Sequence, residues 1–551
     1  MDKISSYVLY LALISLPVIH GLPSSSAQTL AAPTAETRNG TYEGVRLEPL
    51  GLDLFLGMQY ALPATGSLRY RPPHYVNATW NGTKPATTMP YACPQSPWQY
   101  ADLGVEMNED CLGLNIWRPA GCDENCTLPV LVWIHGGGLQ TGYSLQTEYN
   151  MSHLVHESIE MGTPIVGVSL NYRLGYWGFL ASTDLLNSQN VNLGFKDQRL
   201  ALLWIQENIH AFGGDAQKVT IFGQSSGGMS VGDHLLAYGG KDEHLFRAAI
   251  LQSGSAEGDA YNGTDFYEPI YNTILGGVNC SQADDSVECL RQADYETLLN
   301  VTGDAVDQFY RLDWMPIVDG DYLQEWPSSA LTKNKTVKVP IIIGHTTDEA
   351  TVWATEGLQN ETAIHDWLLY HGGYRFSEAT VEGLLSAYPQ NVSNGVLSNV
   401  SDIPTTYGAE WRRIVSIMTD FWATAPKRRM SQVWAGQDVP VWTYRFNIVP
   451  PGTPDYLGVY HTAEFRWVFN TPTDTFSSVQ NATQKFMSRA WISFANTLDP
   501  NNHGVSGVPS WPGFGNSDQN MVFDLQSHLE KDDFRLAGTD FIQAHSLQFP
   551  W

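Results

Sequence analysis

Ser225 lies in Gly223-Gln224-Ser225-Ser226-Gly227, after the β-branched and aromatic run Val219-Thr220-Ile221-Phe222 and before small residues that can begin a helix. A serine set this way sits on a sharp strand-to-helix turn, and the flanking glycines remove side chains that would clash there. The turn strains the backbone and presents the hydroxyl as an acyl-transfer nucleophile. A serine hydroxyl reacts poorly until a positioned base takes its proton. The acyl oxygen also needs hydrogen-bond donors where negative charge develops. Upstream, His135-Gly136-Gly137-Gly138 directly follows a run ending in Trp133-Ile134. Successive glycines let backbone N–H groups approach a ligand, so Gly137 and Gly138, with the N–H of Ser226, are expected to make an oxyanion hole. Taken alone, the three glycines also fit a plain turn.

The elements that must position these groups read as an alternation of strands and helices. Near-continuous apolar runs suit strands covered on both faces, and they recur at 129–134, 164–170, 219–222, 248–252, 339–344 and 439–445. Between them Phe195 to Phe212 carries Leu200, Leu203, Trp204 and Ile209 near helical spacing. Segments 258–331 and 353–430 read as helical insertions, either over the pocket or as inert packing. The expected class is α/β: a mostly parallel central sheet flanked by helices, in one domain over 28–551 after a signal peptide at 1–27.

Lys3 precedes an apolar run from Val8 to Ile19, and Ser25-Ser26-Ala27 offers small residues for a cut before Gln28. That run is too short to span a bilayer, and the end, Gln548-Phe549-Pro550-Trp551, resembles neither an anchor nor a retention signal. A freely secreted protein is expected, with no stable membrane anchor. The six cysteines form sequence-local pairs, Cys93 with Cys111, Cys122 with Cys126 and Cys280 with Cys289. An even count in an exported chain favours disulfides over a metal site, which would call for Cys-x-x-Cys or His clusters. Glycosylation sequons begin at Asn39, Asn77, Asn81, Asn125, Asn150, Asn262, Asn279, Asn300, Asn334, Asn360, Asn391, Asn399 and Asn481. So many behind a signal peptide predict a glycoprotein with surface N-linked glycans. A balance of 30 basic against 57 acidic residues excludes nucleic acid as partner. The sequence carries no signal for a particular oligomeric state.

A longer series of motifs then appears in order. It runs Gly57-Met-Gln-Tyr-Ala-Leu-Pro63, Leu68-Arg-Tyr-Arg-Pro-Pro73, Glu109-Asp-Cys-Leu-Gly-Leu-Asn115, Asn171-Tyr-Arg-Leu-Gly175, Asn192-Leu-Gly-Phe-Lys-Asp-Gln198, Asn208-Ile-His-Ala-Phe-Gly-Gly-Asp215 and Gln252-Ser-Gly-Ser255. With these the chain resembles the type-B carboxylesterases, the cholinesterase and fungal lipase family of α/β-hydrolases. The resemblance implies the order Ser…Glu…His and an ester substrate, with no metal or organic cofactor. His345-Thr-Thr-Asp348-Glu349-Ala350 resembles the family's Asp-Glu-Gly turn, which makes Glu349 the acid, with its neighbour Asp348 as rival. Tyr460-His461-Thr-Ala-Glu464 resembles the His-x-x-Glu stretch, which makes His461 the general base. Ser253 and Glu464 resemble positions that support the triad.

The departures bear on substrate. Where cholinesterases hold quaternary ammonium on a tryptophan, this chain has Ala101, with Trp98 off register. Leu139 replaces the aromatic after the glycines, and Gln224 and Ser226 replace the commoner Glu and Ala of the elbow. Only the backbone N–H of Ser226 is expected to matter. The expected activity is hydrolysis of small-molecule esters through an acyl-enzyme. An acyltransferase or ester-cyclising enzyme with the same triad is the alternative. A lipase whose lid is the Cys93–Cys111 segment, or a non-catalytic binding module, ranks behind both.

Overall fold

Runs of apolar residues with no polar interruption need cover on both sides, and strand β4 (Leu128–Ile134) receives it. Val130, Val132 and Ile134 point into one hydrophobic core, Leu131 and Trp133 into another on the opposite face. That alternation is the two-residue period of a strand spread over two buried layers. The computed structural model describes residues 31–95, 105–308, 314–370, 376–390, 400–549 and 551. The expected signal segment, Trp98, Ala101, most of the expected lid and the sequons at Asn391 and Asn399 lie outside the described residues.

Among the described residues eleven strands make the main sheet. In chain order the others are β1 (Val45–Leu47), β2 (Leu52–Gln59), β3 (Gly113–Pro119), β5 (Val166–Leu170) and β6 (Gly214–Gln224). They continue as β7 (Ala248–Gln252), β8 (Ile341–Thr346), β9 (Val441–Phe446), β10 (Gln519–Phe523) and β11 (His528–Lys531). Their spatial order is 11-10-9-8-7-6-4-5-3-2-1. The block from β10 to β5 is parallel, and antiparallel strands close each edge. A separate sheet joins Thr34–Thr37, Gly40–Glu43 and Thr83–Pro85. The six expected strands are present. β6 begins earlier than its apolar run because Gly214 still pairs with Leu128 across a bulge.

Helix α1 (Leu193–Asn208) ends by tightening into a 3₁₀ turn at Ile209–Phe212, closed by Gly213 at φ 81°. Its Asp197 carboxylate takes the Arg173 guanidinium at 2.7 and 2.6 Å, both groups buried. Arg69 and Glu109 make a second buried bidentate pair at 2.6 and 2.7 Å. Four of the sequence motifs therefore meet in pairs as internal ion bridges, where a lone buried charge would be costly. Two further helices matter to the site. They are α2 (Ser226–Gly240), which follows β6, and a long helical stretch made of α3 (Trp411–Thr419), a π turn (Asp420–Thr424) and α4 (Ala425–Gly436).

Cys93–Cys111, Cys122–Cys126 and Cys280–Cys289 are all disulfide-bonded. Eight sequon asparagines, Asn77, Asn81, Asn125, Asn279, Asn300, Asn334, Asn360 and Asn481, are exposed, and Asn39 and Asn150 are half-buried. Asn262 corrects the expectation. At 6% exposure it is packed inside and not at the surface expected of a sequon. Among the described residues no helix is long and apolar enough to cross a membrane.

Candidate active site

The site is built at the end of β6, a central strand paired with β4 on one side and β7 on the other. Ser225 leaves the strand at φ 60°, ψ −132°, and α2 starts at the next residue. Left-handed φ is costly for a residue with a Cβ, by about 1–3 kcal/mol. The surroundings enforce it. A Cβ on Gly227 would stand 2.1 Å from the Ile134 carbonyl oxygen, and one on Gly136 would stand 2.4 Å from the Gln224 carbonyl oxygen and 2.9 Å from Ser225 Cβ. The elbow and the glycine loop after β4 therefore approach each other as closely as backbone allows.

That loop turns through Gly137 (φ 108°), Gly138 (φ 65°) and Leu139 (φ 57°). The Gln140 and Thr141 N–H groups fold back onto the Gly137 carbonyl at 3.0 Å. His135, just before it, is fully buried and stacks on Tyr172 with ring centroids 4.5 Å apart. Burial holds this imidazole down to about 4, so it is neutral and plays a packing role.

Glu349 follows β8 and is completely buried. One carboxylate oxygen accepts the Thr346 N–H at 2.6 Å, and the other lies 2.5 Å from His461 Nδ1. Burial works to raise this carboxyl, but the His461 imidazole outweighs it, with help from His345 and the Ser253 hydroxyl, and the group stays below its ordinary range. An ionised acid on Nδ1 fixes the tautomer in which Nε2 keeps a lone pair. Asp348 points elsewhere. Its carboxylate accepts the Val459 N–H at 2.9 Å, and its own N–H donates to the Val459 carbonyl at 3.0 Å, anchoring the loop that carries His461. The geometry favours Glu349 over its neighbour.

Glu464 is also completely buried, and burial together with the Glu349 charge raises it to about 8. It holds a proton at neutral pH while Glu349 does not. Two carboxyls driven apart in this way can serve different roles. Ser253, beside them, adopts φ 45° and gives its N–H to the Gly344 carbonyl at the end of β8.

Three neighbours of His461 were not legible as site residues. Trp353 and Trp422 meet its ring edge-on, with centroids 4.8 and 5.0 Å away, and contact each other at 5.2 Å. Trp422 belongs to the π turn, and its indole N–H donates to Asp259 at 3.0 Å. π turns often mark functional positions, but no sequence period announces one. The Gln224 amide nitrogen stands 3.2 Å from His461 Nε2 and 3.4 Å from Nδ1. Its place inside the elbow was the available signal. Ser226 also departs from expectation, because its Oγ accepts the Leu139 N–H at 3.0 Å in addition to any work by its own N–H.

Comparison with known proteins gives the same picture. Residues 31–543 match the model of the carboxylesterase family. The chain belongs to that family. This carboxylesterase is similar to Lipase 4 of Diutina rugosa, at 32% identity across 94% of this chain and 97% of that one. It is 33% identical to Secreted lipase 1 of Botryotinia fuckeliana, over 95% and 93% of the two chains. Among solved structures it superposes on EstA of Aspergillus niger with a TM-score of 0.82 at 27% identity, covering 95% and 99% of the chains. The fold is that of the α/β-hydrolases, and the protein is an ester-hydrolysing serine hydrolase. Its three disulfides and secreted relatives are consistent with an extracellular carboxylesterase.

Two outcomes follow from this geometry. Glu349→Gln should lower kcat by about 10³–10⁴, the loss expected when an acid that fixes the tautomer becomes an amide, while Asp348→Asn should lower it far less. Equal losses in steady-state assays would reverse the assignment. Gln224→Glu places a carboxylate against the imidazole and favours its protonated, inactive form, so the acid limb of the kcat/KM profile should move to higher pH by on the order of one unit. An unshifted limb would remove Gln224 from the electrostatics of the site.

Proposed function

We propose that this carboxylesterase cleaves small-molecule carboxylic esters through a covalent acyl-enzyme on Ser225. The observation that carries the reading is the pairing of His461 with a buried, ionised Glu349, in a chain that also holds Ser225 on a strained strand-to-helix elbow. His461 Nε2 takes the Ser225 proton as Oγ attacks the ester carbonyl, and Glu349 stabilises the imidazolium that forms. The N–H groups of Gly137, Gly138 and Ser226 receive the oxyanion, each such donor being worth about 10²–10³ in rate. The intermediate collapses, His461 returns the proton to the departing alcohol, and water then releases the acid by the same steps. No metal or organic cofactor enters. Protonated Glu464 and Ser253 keep the surroundings of Glu349 from adding a second negative charge. The chain is exported through the segment 1–27 and carries N-linked glycans on its exposed sequons.

The test is Ser225→Ala, which should lose p-nitrophenyl ester hydrolysis by at least about 10³-fold while keeping the wild-type circular dichroism and melting temperature. Retained turnover would refute the nucleophile. A second reading, a lipase acting at oil–water interfaces, is favoured by relatives such as Secreted triacylglycerol lipase LIP1 of Gibberella zeae, 31% identical over 90% of this chain. The short Cys93–Cys111 segment favours soluble or medium-chain esters instead. Rates on tributyrin should accordingly rise smoothly through its solubility limit. A sharp jump once the emulsion forms would establish the lipase.

A further inference from the structure

The side chain of Ser226 occupies a junction that the reaction just described does not use. Its Oγ accepts the N–H of Leu139, a contact bridging 87 positions of sequence between α2 and the glycine loop. Leu139 is completely buried and stands at φ 57°, the third residue in succession with left-handed φ. Of the three it alone carries a Cβ, so it pays most for that conformation. The near end of the turn is held separately, by the buried Tyr172 phenol. That phenol donates to the His135 carbonyl at 2.8 Å, just ahead of the loop. The Ser226 hydroxyl thus ties the far end of the 136–138 turn to the first residue of α2, and the Tyr172 phenol holds the near end.

We propose that Ser226 is a positioning residue that sets, through its side chain, where the Gly137 and Gly138 N–H groups stand relative to its own. The proposal rests on the oxyanion role given to those three groups. Two of the donors belong to the loop and the third to the helix, and an oxyanion is stabilised only when all converge on one point. With alanine at 226 the buried Leu139 N–H loses its acceptor, and a buried N–H seeks another partner by moving. The loop then shifts at the residue adjoining Gly138. Ground-state ester binding depends little on this convergence, whereas the tetrahedral intermediate depends on it fully.

Ser226→Ala and the near-isosteric Ser226→Cys, a weak acceptor, are compared with wild type after active-site titration with a p-nitrophenyl phosphonate, so that only competent molecules are counted. The expected result is a fall in kcat of about tenfold with KM within twofold. The Ki of an aryl trifluoromethyl ketone, which mimics the tetrahedral adduct, should weaken by the same factor, with cysteine intermediate. Unchanged kcat and Ki, or a loss that disappears once competent sites are counted, overturns the proposal. If one variant does not fold, the other decides by the same readouts. Ser225→Ala in parallel separates the two levels. If it is inactive while the Ser226 variants match wild type, only the positioning role fails. If it remains active, the oxyanion reading beneath it fails as well.

Discussion

Everything at the reaction centre depends on one backbone conformation that an isolated peptide would avoid. Ser225 is held at φ 60° because strand β6 cannot move sideways between its two parallel neighbours and α2 cannot move back. The tolerances are those of bare backbone, with the Gly227 and Ile134 main chains closer than any Cβ permits. Strain at a single residue persists only when the surroundings over-determine it. Here a rigid, fully covered sheet does so. The two cores on its faces thus act as the clamp of the nucleophile as well as the source of stability.

The charges around the histidine follow the same logic of enclosure. Burial alone would push both Glu349 and Glu464 toward the neutral form, and it is the company each keeps that separates them. Glu349 has an imidazole and a backbone N–H to receive its charge. Glu464 has chiefly the repulsion of Glu349. Burial first, and then the charge on Glu349, keep Glu464 neutral. The net charge of −27 is spread over the molecule, and at the centre the Glu349 carboxylate is hydrogen-bonded to the His461 imidazole, with the raised Glu464 carboxyl nearby.

How much of this was legible in the sequence varied with the range of the interactions. Strands such as Ala248–Gln252 announced themselves because a strand buried on both faces must be apolar throughout. The elbow was legible because its glycines are demanded by contacts within a few residues and one neighbouring loop. Cysteine pairing was readable because each partner lies close along the chain. The choice of Glu349 over Asp348 rested on the resemblance alone, since both carboxylates reach the loop around His461 and only the fold decides which one meets the imidazole. Trp353, Trp422 and the side-chain roles of Gln224 and Ser226 were hidden for the same reason. Asn262 shows the converse limit, because a sequon specifies a local triplet and is blind to burial.

The π turn at Asp420–Thr424 changes the phase of the long helical stretch that contains it. An α-helix advances about 100° per residue, so one wider turn shifts the phase of everything after it. Ahead of the turn, α3 is set by Arg413, which bonds Glu361 and Glu410. Beyond it, α4 is set by Lys427 and Arg428, which share the buried Asp532. Between the two anchorages the π turn carries Trp422, whose ring meets the His461 imidazole edge-on. The wider turn thus acts as a phase adjuster, and a length change of one residue here would rotate Trp422 relative to the His461 ring it touches.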